Sequence, residues 1–511
     1  MCFNLKSNQK KSVYMKSVFL CVFLFLFSSC RSTLLPEAAP ESLGVSSDAL
    51  ISLVDKLDKE VDGMHGIVIL RHGKVISKGW WAPYREENTH ILYSLSKSFC
   101  STAIGMAVDE GLLSLDDKVV KFFPDELPQN PSENLKAMTI KDLLIMGTGN
   151  HNDTLGAIKE SEDKNWPKIF LAQPVEHKPG SFFKYNTGAT YMLSAILQKV
   201  TGQKLVDFLK PRLFDPLGIK EYSWEEDPMG VNTGGYGLKV RTEAIAKFGQ
   251  LYLQKGMWEG KRLLSEEWIN MATSKQINNG SNPKSDWNQG YGFQFWMCRH
   301  NAYRGDGAFG QYCIVMPEQD AVIAIHSGVK NMQQVLNIIW DNFLPAVQKE
   351  PLPENPASFA KLQEKMSSLN LPKVKKLSVP SAGIVGQTYH FEENEKGFKS
   401  ISVQDRDEHT YLKLENAHGT QYIYFTRHLW VEDEIILEKN LKQAVGASNG
   451  VQKIACNGAW QSPNHLRVVM YMIEAPFKLT FDLKFNGGKL TMDLNYNIIH
   501  GPKDYKFKAS K

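Results

Sequence analysis

The stretch ILYSLSKSFCSTAIGMAVDEG, residues 91–111, predicts an extended apolar lead-in followed by an amphipathic helix that stops at Gly111. Because residues three apart lie on one face of a helix, the Lys97 amine is expected one turn above the Ser94 hydroxyl. A serine needs a neighbouring base before it attacks a carbonyl, and a lysine can serve if its pKa is lowered. S-x-x-K also starts at other serines, so on these residues alone Ser94 is equally explained as a helix N-cap.

The bulk composition limits the classes of function. A chain of 511 residues is expected to form two domains, and its apolar and charged fractions are those of a globular protein. The net charge of +4 gives no electrostatic reason to expect a nucleic-acid partner. Metal-binding spacings such as C-x-x-C and H-E-x-x-H do not occur, so we predict no metal and no cofactor.

The N-terminus has the pattern of a targeting segment. Lys10, Lys11 and Lys16 precede an unbroken apolar run, residues 18–27, that is too short to span a bilayer. Small residues then lead to Cys30, as in a bacterial lipoprotein cleavage site. We therefore predict an exported lipoprotein, lipidated on Cys30 and anchored at the periplasmic or cell-surface side of a membrane. The alternative is an ordinary secretory signal with an incidental cysteine.

Beyond the signal, the chain predicts an α/β domain followed by a β-rich one. Two strand-like runs, a long and mostly helical insertion, three strand-like runs and a helix favour an antiparallel sheet flanked by helices. The strand-like runs are residues 67–70, 74–80, 291–298, 311–316 and 321–326, the closing helix is 333–347, and residues 302–310 are expected to form a tight loop. The motif PLPENP, residues 351–356, marks a boundary. The short alternating runs after it predict an all-β, barrel-like domain.

These patterns divide the chain into five parts. They are a signal segment, a tether, a hydrolase-like α/β domain, a linker with a helix and the C-terminal β-rich domain, at residues 1–30, 31–45, 46–350, 351–385 and 386–511. Cys298 and Cys313 lie on two strand-like runs joined by a loop, so a disulfide between them and simple burial both stay open.

Several motifs in order resemble one family. They are SLSKSF around Ser94, PG-x-x-F-x-Y at residues 179–185, the GG-x-GL and AKFGQLYL stretch, and GDGAFGQY followed by a strand. Over about residues 41–347 the chain resembles the serine hydrolases of the β-lactamase and penicillin-binding-protein superfamily. The closest likeness is to the class C β-lactamase-related branch, with D-peptidases, esterases and aminohexanoate-oligomer hydrolases.

The resemblance implies a catalytic group of three residues. Ser94 would be the nucleophile, Lys97 would hold or accept its proton, and the Tyr185 phenol would shuttle a proton to the leaving group. An ordinary tyrosine has a pKa near ~10, so acting as a base would require help from the nearby Lys97 charge. Which of Lys97 and Tyr185 is the base stays open at this stage. The backbone N–H groups of Ser94 and Ala308 would form the oxyanion hole.

Two positions depart from the family pattern. Thr187 stands where the family usually has Asn, and Asn186 lies one place early, so either Asn186 turns into the site or the substrate contact changes. The third motif, Lys-Thr-Gly or His-x-Gly in the family, is replaced by Gly305-Asp306-Gly307. Arg304 is adjacent and could bind a carboxylate bidentately; without it an efficient β-lactamase is not expected.

The predicted substrate-contacting residues include loop positions with a plain alternative. His151 is as well explained by a solvated loop, and Tyr236 by core packing. The predicted set is Asn186, Thr187, Tyr236, Arg304, Gly305, Gly307 and His151.

The sequence therefore predicts a serine hydrolase that cleaves an ester or amide bond of a small-molecule or short-peptide substrate through an acyl-enzyme. One alternative is a D-specific peptidase or carboxypeptidase on cell-wall peptides. The other is a catalytically silent binding protein on the same scaffold, which the altered positions at Thr187 and Gly305 would favour.

Overall fold

The computed structural model describes residues 35–375, 377–406, 409–437, 450–498 and 503–511. The predicted lipidation site Cys30 and residues 31–34 of the predicted tether lie outside these ranges. The helices are α1 (Ser47–Glu60), α2 (Ser96–Asp109), α3 (Glu133–Ala137), α4 (Ile140–Leu144), α5 (Leu155–Glu160), α6 (Trp166–Leu171), α7 (Thr187–Thr201), α8 (Leu205–Leu209), α9 (Asp215–Leu217), α10 (Thr242–Leu253), α11 (Glu266–Ala272), α12 (Met332–Asn342) and α13 (Pro356–Ser367).

The strands fall into a first half that builds the α/β domain and a second half that builds the C-terminal sheet. The first are β1 (Met64–Arg71), β2 (Lys74–Trp80), β3 (His90–Ile91), β4 (Ser223–Trp224), β5 (Leu238–Val240), β6 (Met257–Trp258), β7 (Lys261–Arg262), β8 (Trp296–Met297), β9 (Tyr303–Gly307), β10 (Gln311–Met316) and β11 (Ala321–Ser327). The second are β12 (Thr388–Phe391), β13 (Ser400–Arg406), β14 (His409–Asn416), β15 (Gly419–Phe425), β16 (Val431–Ile435), β17 (Gln452–Ser462), β18 (His465–Met472), β19 (Lys478–Asn486), β20 (Lys489–Tyr496) and β21 (Asp504–Ser510).

The α/β domain has an antiparallel six-stranded sheet in the order β2-β1-β11-β10-β9-β8, as predicted. Side chains alternate between its two faces: Val68 and Leu70 join the core beneath α2, α7 and α10, whereas Ile67 and Ile69 join the core beneath α1, α12 and α13. Helices thus cover both faces. In the insertion between β2 and β8, α10 packs on β1, β10 and β11, and α2 packs on β9 and against α7.

Residues 302–310 correct one prediction, because they contain strand β9 and not only a loop. The glycines that suggested a loop serve close packing instead. A Cβ at Gly307 would lie 1.9 Å from Leu92 O, and one at Gly305 would lie 2.4 Å from Leu95 Cδ1. Only a strand without side chains at these positions can pass so close to the turn before α2. Conversely, the predicted strand at residues 291–298 is reduced to the two residues of β8.

The C-terminal domain is all-β, as predicted. Its ten antiparallel strands run in the order β15-β14-β13-β12-β21-β20-β19-β18-β17-β16. The two ends of the sheet approach each other, since Gly458 N donates to Thr426 O at 3.1 Å. Apolar side chains such as Leu412, Phe481 and Leu494 fill the interior of this nearly closed barrel.

Two further findings concern the sequence predictions. Cys298 and Cys313 are both free and buried, and they belong to the cores on opposite faces of the sheet, which rules out the disulfide left open above. Across the described ranges, none of the helices has both the length and the apolar content of a bilayer-crossing segment.

Candidate active site

Ser94 lies in a tight turn between β3 and α2. The chain leaves β3 at Ile91, forms a single 3₁₀ turn over Tyr93–Leu95 and enters α2 at Ser96. Tyr93 has φ +47°, a left-handed conformation that is strained for a residue with a bulky side chain. The N-cap of α2 is Leu95 and receives no side-chain cap, so Ser94 is not the N-cap that its sequence allowed.

The Lys97 amine is buried directly above this turn. Lys97 Nζ lies 3.2 Å from Ser94 Oγ, donates to Gly235 O at 2.7 Å and lies 3.4 Å from Thr187 Oγ1. Burial lowers the pKa of Lys97 from 10.5 to about 8, against the opposing pull of the Asp153 and Asp306 carboxylates. About a tenth of the amines are therefore neutral at pH 7, far more than for an exposed lysine.

The Tyr185 phenol reaches the same serine from the segment before α7. The Ser94 side chain acts to lower the pKa of this phenol, and Lys97 Nζ lies 5.0 Å from the ring centroid. Trp296 stacks on the ring at 5.3 Å between centroids and an interplanar angle of 19°. Burial, followed by the charge of Asp306, raises the pKa of Tyr185 above its ordinary value, so the phenol keeps its proton.

The two pKa shifts favour opposite roles for the amine and the phenol. Desolvation penalises the charged form of each group, so Lys97 moves toward the neutral amine and Tyr185 toward the neutral phenol. A neutral amine beside a hydroxyl is a proton acceptor, and a neutral phenol is a proton donor. In this arrangement the amine whose pKa is lowered lies 3.2 Å from the Ser94 hydroxyl.

Asn186 turns away from the site, contrary to its prediction as a substrate contact. Its side chain is fully buried: Oδ1 accepts from Thr154 N, Thr154 Oγ1 and Gly188 N, and Nδ2 donates to Thr148 and Asn150. It therefore caps α7 and fixes the preceding loop. Thr187 is the residue that faces Lys97, so a hydroxyl stands where the family usually has an amide.

Arg304 is not free to hold a substrate carboxylate, contrary to its prediction. Its guanidinium is fully buried, with Nε donating to Asp306 Oδ2 and Nη2 also 2.8 Å from that oxygen. Nη1 donates to Asp286 O at 2.7 Å, and the group lies 4.3 Å over the Trp287 ring. Asp306 thus neutralises the arginine, and β9 presents a closed ion pair in place of a cation.

The predicted oxyanion donors belong to two segments in close contact. Gly307, at the end of β9, packs against the Ser94 turn, where an added Cβ would lie 3.2 Å from Leu95 N. Ala308 follows directly, and the chain then turns through Phe309, whose φ is +67°. Gly305 packs in the same way against α2, so both glycines bring the strand close to Ser94 and leave no side chain to contact a substrate.

His151 and Tyr236 lie on loops around these residues. His151 is exposed, and its ring lies 5.9 Å from the Phe182 ring. Tyr236 is buried, with Lys159 Nζ 4.7 Å from its ring centroid. These contacts agree with the alternatives of a solvated loop and of packing, and the substrate-binding roles of both residues stay predictions.

Three features of the site were missed by the sequence analysis. The Gly235 carbonyl binds the Lys97 amine, Trp296 stacks on the Tyr185 ring, and the Asp153 carboxylate accepts from Thr187 N at 2.9 Å. Gly235 and Trp296 stood in motifs and runs that were noticed, but a backbone carbonyl and a packing contact leave no signal in side-chain spacing. Among the residues the structure describes, no group of three or more His, Cys, Asp or Glu side chains is arranged to hold a metal.

The chain is similar in sequence to several curated proteins. A 6-aminohexanoate-dimer hydrolase of Paenarthrobacter ureafaciens is 23% identical over 308 residues, which cover 56% of this chain and 78% of that protein. A protein of Escherichia coli K12, provisionally named D-alanyl-D-alanine carboxypeptidase, is 24% identical over 221 residues, covering 38% of this chain and 51% of that protein.

A solved structure from Bacillus anthracis, provisionally named 6-aminohexanoate-dimer hydrolase, superposes with a TM-score of 0.51 at 21% identity. The superposition covers 63% of this chain and 89% of that one, which supports a shared fold. The beta-lactamase family model matches residues 51–335, more than half of the chain and all of the segments that build the site. The chain therefore belongs to the beta-lactamase family.

Proposed function

We propose that this protein is a serine hydrolase that cleaves an ester or amide bond through a covalent acyl-enzyme on Ser94. The observation that carries the proposal is the meeting of three groups at one oxygen. Lys97 Nζ lies 3.2 Å from Ser94 Oγ, its pKa is lowered to about 8, and the Tyr185 phenol is close enough for the Ser94 side chain to affect its pKa. These are the nucleophile, base and proton donor that acyl transfer requires.

In acylation, the neutral Lys97 amine takes the Ser94 proton as the serine oxygen attacks the substrate carbonyl. The negative charge on the carbonyl oxygen is received by the backbone N–H groups of Ser94 and Ala308. Tyr185 gives its proton to the departing alcohol or amine and is reprotonated from the lysine ammonium. Water then attacks the acyl-serine as Lys97 accepts one of its protons. The lysine ammonium returns that proton to the Ser94 oxygen as its bond to the acyl group breaks, which releases the acid and restores the enzyme.

The ion pair on β9 supports a substrate without a carboxylate at that edge of the site. Arg304 is fully buried and bound to Asp306, so it offers no free guanidinium to an anion. Binding a carboxylate there would require breaking a buried pair, which typically costs several kcal/mol. This disfavours a β-lactam or a peptide C-terminus and favours a neutral ester or amide, so D-carboxypeptidase activity is the second candidate.

The test is covalent labelling by a fluorophosphonate, followed by hydrolysis assays. The unaltered chain should be labelled on Ser94, and Ser94→Ala should lose both labelling and turnover of p-nitrophenyl esters. Ser101→Ala is the matched control, because Ser101 is buried on the same helix and makes no hydrogen bond among the described residues. Turnover retained in Ser94→Ala would refute the proposal.

A substrate panel separates the two candidates. Hydrolysis of p-nitrophenyl esters without release of D-alanine from D-Ala-D-Ala peptides would support the first. The reverse result would support the peptidase. An unlabelled protein that forms no adduct with ester, amide or lactam probes would instead be a binding protein on this scaffold.

We also propose that the chain is exported and lipid-anchored through Cys30, with the hydrolase outside the cytoplasmic membrane. The support is the sequence alone: lysines, a short apolar run and small residues before the cysteine. Metabolic labelling with a fatty-acid analogue should mark the unaltered chain and not Cys30→Ser. Equal labelling of both would refute the anchor.

A further inference from the structure

One turn of the C-terminal barrel, residues 473–477 between β18 and β19, contacts the catalytic wall of the α/β domain. We call these residues the barrel turn. Ile91 N donates to Glu474 O at 3.0 Å, so the barrel turn binds the strand that leads into the Ser94 turn. Ile91 and Tyr93 are themselves part of the barrel's apolar core, and Ala308 packs against it.

The Glu474 carboxylate holds the second strand of the small sheet that supports the site. Its Oε2 accepts from Lys239 Nζ at 2.6 Å, and Lys239 on β5 pairs with Ile91 on β3. Oε1 accepts from Lys453 Nζ at 3.0 Å and Thr89 Oγ1 at 3.3 Å. Burial acts to raise the pKa of Glu474, but the two lysines outweigh it and the pKa lies below its usual value, so the carboxylate is charged.

The hydrogen bonds of Glu474 act on two segments, one that leads to Ser94 and one that follows the carbonyl bound to Lys97. Strand β3 runs directly into the Ser94 turn, and β5 begins three residues after Gly235, whose carbonyl binds the Lys97 amine. Leu92 N also donates to Leu238 O at 2.8 Å, which ties the two segments together just before the nucleophile. A shift of Glu474 would therefore move the serine and the lysine's acceptor with it.

A second contact holds the two strained residues beside the predicted oxyanion donors. Tyr93 precedes Ser94, Phe309 follows Ala308, and both have positive φ. Their rings meet edge to face at 5.4 Å, and Phe477 of the barrel turn meets the Phe309 ring at 6.0 Å. Such conformations typically cost about 1–3 kcal/mol each and persist only where the surroundings impose them.

We propose that the barrel turn is a positioning element for the oxyanion hole and for Lys97, so that the C-terminal domain sets the acylation rate of the hydrolase. This inference rests on the proposed function. Glu474 fixes the backbone before Ser94 and after Gly235, and Phe477 fixes the Tyr93–Phe309 contact. Glu474 and Phe477 are positioning residues, since they act on the reacting groups through their neighbours.

The experiment uses the intact chain with two variants, Glu474→Gln and Phe477→Leu, both close in size to the original residues. Their controls are Asp482→Asn, which breaks a barrel ion pair with Arg467, and Phe485→Leu, which alters the far end of β19, the strand that follows the barrel turn. We measure kcat and KM on a p-nitrophenyl ester, the rate constant for fluorophosphonate labelling of Ser94, and Tm.

A displacement of about 1 Å at a reacting group can cost on the order of 100-fold in rate. We therefore expect kcat and the labelling rate constant to fall by about 10- to 100-fold in both test variants, with KM within about twofold. The controls should keep the original rates even if their Tm falls by as much as that of the test variants. A general loss of stability would slow tests and controls alike.

The outcomes separate the two proposals. Labelling and turnover that are unchanged in both test variants, or reduced equally in the controls, would overturn the role of the barrel turn and leave the hydrolase intact. Failure of the unaltered chain to label on Ser94 would overturn the proposed function and this inference together.

Discussion

The pH dependence of Ser94 acylation tests which group is the base. If the neutral Lys97 amine accepts the serine proton, the labelling rate follows the neutral fraction of that amine. With a pKa of about 8, about a tenth of the amines are neutral at pH 7 and about nine tenths at pH 9. The rate should therefore rise about tenfold between these values and level off above pH 9.

The assay is the second-order rate constant for fluorophosphonate labelling, measured from pH 6 to 10 on the intact chain. Lys97→Arg keeps a positive charge that cannot be lost in this range, so its residual rate should not follow the same curve. Lys247→Met is the matched control, because Lys247 is buried in α10 and pairs with Glu243, away from the serine. It should keep the tenfold rise.

Two results would refute this reasoning. A rate that is flat or falls from pH 7 to 9 would mean that the group losing its proton near pH 8 is not needed as a base. An unchanged pH profile in Lys97→Arg would assign the titration to another group, and the tyrosine would again be a candidate.

Three further predictions concern stability, each measured by denaturant unfolding. Lys97→Met should raise the free energy of unfolding at pH 7, because burying the charged amine costs about 3 kcal/mol and its hydrogen bond to Gly235 contributes only about 1–2 kcal/mol of stability. The gain should vanish above pH 10.5, where the amine is neutral in the folded and the unfolded chain. A lower free energy of unfolding at pH 7 would contradict this prediction. His90 is fully buried and its pKa is lowered to about 4, so as the pH falls the unfolded chain binds a proton at this histidine before the folded chain does. About 3 kcal/mol of the free energy of unfolding should therefore be lost between pH 6.5 and pH 4. His90→Asn should lose less stability over this range, and an equal loss in both proteins would exclude this histidine as the cause. Asp306→Asn should lower the free energy of unfolding by about 3–5 kcal/mol, since it leaves the Arg304 charge buried without its partner, and a change below about 1 would show that the pair is dispensable.

The sequence was sufficient for those parts of the site that depend on side-chain spacing along one element. Ser94 and Lys97 are three residues apart, so their proximity follows from helix geometry, and the family motif supplied Tyr185. The antiparallel sheet and the all-β domain likewise follow from short turns and alternating runs. Each of these features is local, or depends on a pattern that repeats within one element.

The sequence failed where the outcome depends on which way one residue turns in the folded chain. Asn186 and Thr187 are neighbours, and spacing alone allows either to face Lys97. The side chain of Asn186 is instead held by Thr154 and by its cap on α7, which leaves Thr187 to face the lysine. Gly305 and Gly307 indicated a loop by their residue type. Their close packing against the Ser94 turn is a tertiary contact that the sequence does not reveal. The barrel turn carries no chemical motif, and its contact with Ile91 joins residues far apart in the chain.

The choice of base shows the same limit in electrostatic terms. A sequence places a cation near a phenol and, by Coulomb attraction alone, predicts a lowered pKa for Tyr185. The folded site buries both groups, and desolvation is the largest effect on each of them. It lowers the pKa of Lys97 and raises that of Tyr185. Burial thus makes a neutral amine beside a neutral phenol the favoured state above about pH 8, which would separate the base from the proton donor without placing an ion pair in a buried site. The exclusion of water from both groups, which cannot be derived from residue spacing, decides the direction of the two pKa shifts.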